Sequence, residues 1–253
     1  MLSRRQSRPE LLEHCSAVAA AGSVRRFGAS AALLAAVLTL TPVGAQSATA
    51  SATTPASRPT AAASAPAGHK TVLVLGDSLS AEYGLARGTG WVALLTQRLT
   101  QEKISAAVVN ASVSGDTTSG GRSRLPALLK QWQPSHVVIE LGGNDALRGL
   151  PMNMTRDNLA AMARAARASG AKVMLIGIQV PPNYGAQYGA QFAAVFARVA
   201  ADEQAALVPF LLAGVADGPQ AERLFQPDRI HPTAEAHPRL LANVWPVLRP
   251  WLR

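Results

Sequence analysis

The 253-residue chain has a single cysteine, Cys15, which excludes an internal disulfide and any multi-cysteine metal site. Aromatic residues are scarce at 5% and charged residues few at 15%, a poor basis for a nucleic-acid surface. The net charge of +9 is not one basic patch: residues 1–68 carry six Arg against two Glu, and the remaining excess is spread along the chain. No nucleic-acid partner is expected. No apolar run reaches the ~20 residues that a membrane-spanning helix needs, so no stable membrane anchor is expected either. With 20 Gly and 17 Pro the chain is not collagen-like, and 48% hydrophobic residues exclude a wholly disordered one. The length suits one domain with a sizeable core.

The first 68 residues stand apart from that domain. Arg25 and Arg26 precede the apolar stretch Phe27–Leu40, which is followed by Pro42 and the small residues Val43-Gly44-Ala45. A positive flank, a short apolar stretch and a small-residue site describe a secretory signal over residues 1–45, with cleavage after about Ala45. The expected destination is the periplasm or exterior of a bacterial cell. Residues 46–68 are nearly all Ala, Ser, Thr and Pro. They lack the large apolar side chains that offset ordering entropy and read as a flexible linker. The folded domain is expected over residues 69–253.

From His69 onward, short β-rich runs alternate with helical patterns. Thr71–Leu75, Ala106–Val109, His136–Leu141, Lys172–Ile178 and Ala206–Val208 read as strands. Trp91–Gln101, Arg122–Gln131, Arg156–Ala168 and Gln191–Gln204 have apolar residues at helical spacing. Thr233–Leu248 reads as a last helix that Pro238 and Pro246 must kink or break. The strands are apolar throughout, as a parallel sheet covered on both faces requires. The expectation is a three-layer α/β/α sandwich of about five parallel strands, flavodoxin-like in plan.

Ligands of such a sheet bind outside the carboxyl ends of its strands, so the residues after each apolar run carry the information. Gly76-Asp77-Ser78-Leu79-Ser80 follows the first run. A serine at a strand-to-helix turn can present its hydroxyl at the rim, although the same pattern serves as a helix cap. Gly115 follows the second run and can offer an unobstructed N–H to a negative oxygen, or simply form a turn. Gly142-Gly143-Asn144-Asp145 follows the third, with Asn144 a neutral donor or an ordinary turn residue. Near the C-terminus, Asp228 lies three residues before His231. A carboxylate so placed can fix one imidazole tautomer and leave the other nitrogen free as a base, or can form a plain ion pair. His136 reads as structural and His237 as a surface residue. No cluster supplies three metal ligands, so neither a metal nor another cofactor is expected.

Each piece is ordinary alone; together they make a hydroxyl, a base with its orienting carboxylate, and donors for an oxyanion at one sheet edge. In order along the chain, LGDSLSA (Leu75–Ala81), NASVSGDT (Asn110–Thr117), RLPALLKQ (Arg124–Gln131), ELGGNDALR (Glu140–Arg148), PNYG (Pro182–Gly185) and DRIHP (Asp228–Pro232) resemble the SGNH (GDSL) hydrolase family. Within it the chain is most similar to the bacterial periplasmic group of thioesterases, lysophospholipases and arylesterases. The resemblance implies Ser78 as nucleophile, His231 as general base and Asp228 as its partner. It implies an oxyanion hole from the N–H groups of Ser78 and Gly115 and the amide of Asn144. It also implies a mobile loop at Asp145–Pro151, with Asp145, Ala146 and Leu147 against substrate, and a lining segment with Val180, Pro181 and Tyr184. Glu82, where such proteins carry a small residue, and the Gly-rich stretch Gly84–Gly90 depart from the pattern. The implied substrates are small acyl esters or thioesters, lysophospholipids among them, hydrolysed by a monomer. A carbohydrate deacetylase or transacylase would keep the same fold and nucleophile, and a tethered binding domain would keep the fold alone.

Overall fold

The computed structural model describes residues Lys70–Leu252. The expected signal and linker, and Cys15, lie outside the described residues. Five strands form one parallel sheet in the order β2-β1-β3-β4-β5: β1 Lys70–Gly76, β2 Ala106–Asn110, β3 His136–Glu140, β4 Lys172–Ile176 and β5 Ala206–Val208. This is the flavodoxin-like order, and its chain reversal falls between β1 and β3. The two central strands carry the most apolar runs: Val72–Leu75 and Val137–Ile139 are completely buried. Their residues have helices above and below, which is why the sequence does not alternate there.

The helices are α1 Trp91–Gln101, α2 Thr118–Trp132, α3 Gly143–Leu147, α4 Met152–Ala168, α5 Ala186–Asp202, α6 Ala221–Leu224 and α7 His237–Leu248. α1 packs with α7 on one face of the sheet, while α4 packs between α2 and α5 on the other. Each buries one stripe: Trp91, Leu95 and Leu99 on α1, Leu159, Met162 and Ala166 on α4, and Phe192, Phe196 and Val199 on α5. The architecture is the expected three-layer α/β/α sandwich.

Four of the expected helices differ from the sequence reading. α4 starts at Met152, four residues early and directly after Pro151. α2 starts at Thr118, four residues early, because the Thr117 side chain accepts from the Gly120 N–H and caps a Gly- and Ser-rich first turn that has no apolar periodicity. α5 starts at Ala186, directly after a 3-10 turn at Pro182–Tyr184. In α7, Pro238 does not break the helix but occupies its first turn, where a missing N–H costs nothing. Pro246 lies inside the last turn, and the helix ends two residues later at Leu248. No described helix is long and apolar enough to cross a membrane.

His237 is not on the surface as its sequence setting suggested. It is 2% exposed, and its Nδ1 accepts the Trp91 N–H at 3.0 Å, tying the start of α7 to the start of α1. Burial holds this imidazole down to about 4, so it stays neutral when folded. An unfolded histidine takes up its proton near 6.5, so this stabilisation is complete above that pH and lost as pH falls toward 4. His237→Asn keeps an acceptor at the same place and removes the titration. The stability deficit of that variant is therefore expected to shrink by about 2–3 kcal/mol between pH 7.5 and 4.5 in urea unfolding. A deficit that is constant over that range would contradict a neutral buried imidazole.

Candidate active site

The register of the central strands builds the floor of the site. Gly76 pairs with Glu140, so the last residue of β3 lies beside the last residue of β1, immediately before Asp77 and Ser78. Glu140 is fully buried, and its Oε2 accepts from the Ser80 hydroxyl at 2.7 Å and the Asp77 N–H at 3.4 Å. Ser80 in turn accepts from the Trp91 indole N–H at 3.1 Å. Burial, then the nearby Asp77 charge, push the Glu140 carboxyl well above the usual range, so it is a neutral acid beneath the turn. A side chain at Gly76 would have its Cβ 2.8 Å from Glu140 Oε2 and from Ser80, so only glycine fits. Sequence reading passed over Glu140; its strand position among apolar residues was the one available signal.

No helix follows Ser78 directly. Residues 78–84 form consecutive turns, and α1 begins only at Trp91. Asp77 orders this turn: its Oδ1 accepts the Leu79 N–H at 3.1 Å. Ser78 itself is half-buried, and its hydroxyl stands 2.8 Å from Nε2 of His231.

The loop bearing His231 is built around one carboxylate. Asp228 Oδ1 accepts the N–H groups of Ile230 and His231 at 2.9 and 3.0 Å, and Oδ2 lies 2.7 Å from His231 Nδ1. Between them Arg229 adopts a left-handed conformation with φ 58°, which folds the loop back on Asp228. Partial burial raises the Asp228 carboxyl, but the hydrogen bonds from His231 and Ile230 outweigh it and bring it down to about 2. Asp228 is thus ionised at any working pH, and Nδ1 carries the proton that it accepts. Nε2 then faces the serine hydroxyl as an acceptor. Gln226 fixes the loop to the Ser78 turn, donating to the carbonyls of Tyr83 and Pro232 at 3.0 Å each. The Tyr83 ring lies against the imidazole with centroids 4.3 Å apart. Tyr83 was not singled out in the sequence, because its meeting with His231 is a long-range contact.

The Glu82 departure explains how Tyr83 is held there. Glu82 has φ 59°, and its carboxylate accepts from the N–H groups of Gly88 and Gly90 at 2.8–3.1 Å. The Gly-rich stretch therefore wraps around one carboxylate and leads into α1.

Opposite His231 lie the donors. The Val113 N–H bonds to the Gly76 carbonyl at 3.0 Å, extending the β1–β2 pairing past Asn110 and bringing Gly115 toward Ser78. Gly115 has φ 78°, a conformation that favours glycine, and Arg148 holds its carbonyl at 2.7 Å. Among the described residues, the N–H groups of Ser78 and Gly115 donate to no other protein group. Asn144 is on α3, whose start at Gly142 requires φ 125° and leaves only 3.1 Å between a would-be Cβ and the Phe196 ring. Its amide donates to Asp77 Oδ2 at 3.1 Å and to the Asp116 carbonyl at 2.9 Å. Burial, opposed by the bonds from Leu79 and Asn144, raises the Asp77 carboxyl to about 6.

The segment after Asn144 differs from expectation. Residues through Leu147 belong to α3 rather than to a loop. Asp145 and Ala146 are 0% and 2% exposed, and neither faces the opening. The Asp145 carboxylate accepts from the N–H and hydroxyl of Thr118 and from the Thr155 hydroxyl, joining α3 to α2 and α4. An Asp between a Gly-Gly-Asn turn and a helix start satisfies helix donors, and this one does so inside the protein. Leu147 is exposed at the rim. Val180 and Tyr184 are half-buried and Pro181 exposed, all past the carboxyl end of β4. Among the described residues, no group of three or more His, Cys, Asp or Glu is arranged to hold a metal ion.

A serine hydroxyl, an imidazole and a carboxylate in one hydrogen-bonded row, beside free N–H donors, can activate the hydroxyl toward a carbonyl. The comparisons with known proteins agree with that chemistry. Residues 74–239 match the GDSL-like lipase/acylhydrolase family. Esterase TesA of Pseudomonas aeruginosa is 55% identical over 183 residues, covering 72% of this chain and 90% of that protein. The thioesterase 1/protease 1/lysophospholipase L1 of Escherichia coli K12 is 44% identical over 168 residues, covering 66% of this chain and 78% of that protein. A crystal structure of TesA superposes with a TM-score of 0.70 at 56% identity, covering 72% of this chain and 100% of that one. The match takes in the whole chain of that structure. By sequence, fold and comparison alike, the chain belongs to the GDSL-like lipase/acylhydrolase family of SGNH hydrolases.

Proposed function

We propose that the protein is an exported serine hydrolase that cleaves carboxylic esters and thioesters through an acyl-serine intermediate. The observation that carries this reading is the row Ser78 Oγ, His231 Nε2, His231 Nδ1, Asp228 Oδ2, joined at 2.8 and 2.7 Å. His231 takes the Ser78 proton as Oγ bonds to the acyl carbon, and the carbonyl electrons move onto oxygen. The N–H groups of Ser78 and Gly115 bind that oxyanion, and the Asn144 amide turns one donor to it from Asp77 or Asp116. Each such donor contributes about 3 kcal/mol in comparable hydrolases. The tetrahedral intermediate then expels the alcohol or thiol, which leaves with the proton from His231. Water, deprotonated by the same nitrogen, releases the acid and restores Ser78. Asp228 remains ionised throughout and holds the imidazole.

Leu147, Val180, Pro181 and Tyr184 line the path of the acyl chain in this reading, whereas Asp145 and Ala146 support it from inside. Lysophospholipids fall within the substrate class, as the relatives' names suggest. Residues 1–45 direct export to the periplasm or beyond, and residues 46–68 tether the domain, which acts as a monomer.

The test is a chain-length series of p-nitrophenyl esters and acyl-CoA thioesters, run beside acetylated sugars. Turnover of both ester and thioester, with kcat/KM changing along the series, is the expected result. Activity confined to the acetylated sugars would contradict the proposal and make the protein a carbohydrate deacetylase.

A further inference from the structure

Large apolar side chains that remain exposed are few among the described residues: Tyr83 at 50%, Val113 at 48%, Leu147 at 43% and Ile230 at 46%. Single exposed apolar residues scattered over a surface need no explanation. These are not scattered. Each belongs to a different one of the four segments that carry Ser78, Gly115, Asn144 and His231, so they form a ring around one opening. Tyr83 lies against His231, and Ile230 immediately precedes it. Leu147 is followed by Arg148, whose guanidinium reaches the Gly115 carbonyl two residues beyond Val113.

Exposed charge on the same segments is mostly positive. Arg87, Arg148 and Arg229 are exposed. Most acids are withdrawn: Asp77 and Asp145 are buried, Asp116 is paired with Arg124 at 2.5 Å, and Glu82 is spent on Gly88 and Gly90. Asp228 stays exposed but is bonded to His231, which leaves three exposed arginines against one exposed carboxylate. Apolar side chains interspersed with arginines suit the boundary of an anionic bilayer, where the chains enter the acyl region and the cations meet phosphates. A second copy docked on the same ring would place these arginines against their counterparts, so charge argues for lipid over self-association.

We propose that the apolar and cationic rim around Ser78 is a docking surface for anionic phospholipid interfaces. Its purpose, delivery of acyl chains to Ser78, rests on the hydrolase reading, but binding itself requires no turnover. The test is co-sedimentation of the domain, residues 69–253 carrying Ser78→Ala, with sucrose-loaded vesicles. Binding to vesicles of equal phosphatidylglycerol and phosphatidylcholine at about 0.1 M salt is expected to exceed that to pure phosphatidylcholine roughly tenfold or more. Salt at about 0.5 M is expected to remove most of the difference. Adding Val113→Ser and Arg87→Glu is expected to weaken anionic-vesicle binding by about tenfold or more. The same pair with Ser78 intact is expected to hydrolyse p-nitrophenyl acetate at the unaltered rate. Equal binding to both vesicles, binding to neither, or wild-type binding by the double variant would overturn the proposal. So would a dimer in sedimentation velocity that the Val113→Ser, Arg87→Glu pair dissociates. Loss of ester turnover in Ser78-intact protein that still binds anionic vesicles would count against the hydrolase reading and leave the docking surface standing.

Discussion

Ser78→Ala is expected to lower kcat/KM for a short-chain ester by about 10⁴–10⁶-fold, leaving only what binding and the oxyanion donors supply. The far-UV circular dichroism and thermal midpoint should hardly change. The hydroxyl removed is half-buried and bonded to His231 alone, so no buried partner is stranded except an imidazole that water can reach. His231→Ala is expected to cost about as much, and the double variant little more, because the two act as one unit. Losses that multiplied in the double variant would mean that serine and histidine serve separate steps. Stopped-flow release of p-nitrophenol separates these outcomes, since a variant lacking the nucleophile shows no acyl-enzyme burst.

The second large effect is expected on the other side of the opening. Asn144→Ala should reduce kcat by about 10²–10³-fold with KM little changed, since the amide is worth most when charge has formed on the substrate oxygen. The amide does not stand alone: Asp77 Oδ2 accepts one of its protons at 3.1 Å. In Asp77→Asn, an amide would replace that acceptor and oppose two donors, turning Asn144 away. A misplacement of that kind should cost about 10–10²-fold in kcat. It also carries a stability signature. The Asp77 carboxyl is raised to about 6 from 3.8, so its folded form favours the proton. Its stabilising contribution is complete below 3.8 and lost as pH rises through about 6, a swing of roughly 3 kcal/mol. Asp77→Asn should flatten that part of the stability curve, whereas Asn144→Ala should not. Equal curves for wild type and Asp77→Asn would remove the titrating carboxylate from beneath the nucleophile.

How much of this was legible in the sequence depends on the range of the interactions. β1 and β3 were plain because Val72–Leu75 and Val137–Ile139 are unbroken apolar runs, and burial on both faces permits nothing else. The first turns of α2 and α5 were hidden because capping and a 3-10 turn start them, where apolar periodicity is absent. The Asp228-to-His231 contact was readable since three residues and one turn make it. Its meeting with Ser78 spans 153 residues and follows from the sheet order, with both loops at the carboxyl edge. What a string of letters conceals is direction. Asp145 looks like its neighbour Asn144, yet one side chain bonds to Asp77 and Asp116 and the other to Thr118 and Thr155. His237 beside a proline looks exposed, yet it is buried as the acceptor of the Trp91 N–H. Glu140 at the end of an apolar strand looks like a strand terminus, and the register with Gly76 makes it the floor of the site.

The most direct measurement is mass spectrometry of the protein quenched during turnover of a p-nitrophenyl ester, with peptides mapped for acylation. The account predicts one acyl group, on the peptide containing Ser78 and at its hydroxyl, absent in Ser78→Ala. Acylation of another residue, or steady turnover with no acylated peptide under conditions where a burst is seen, would contradict it.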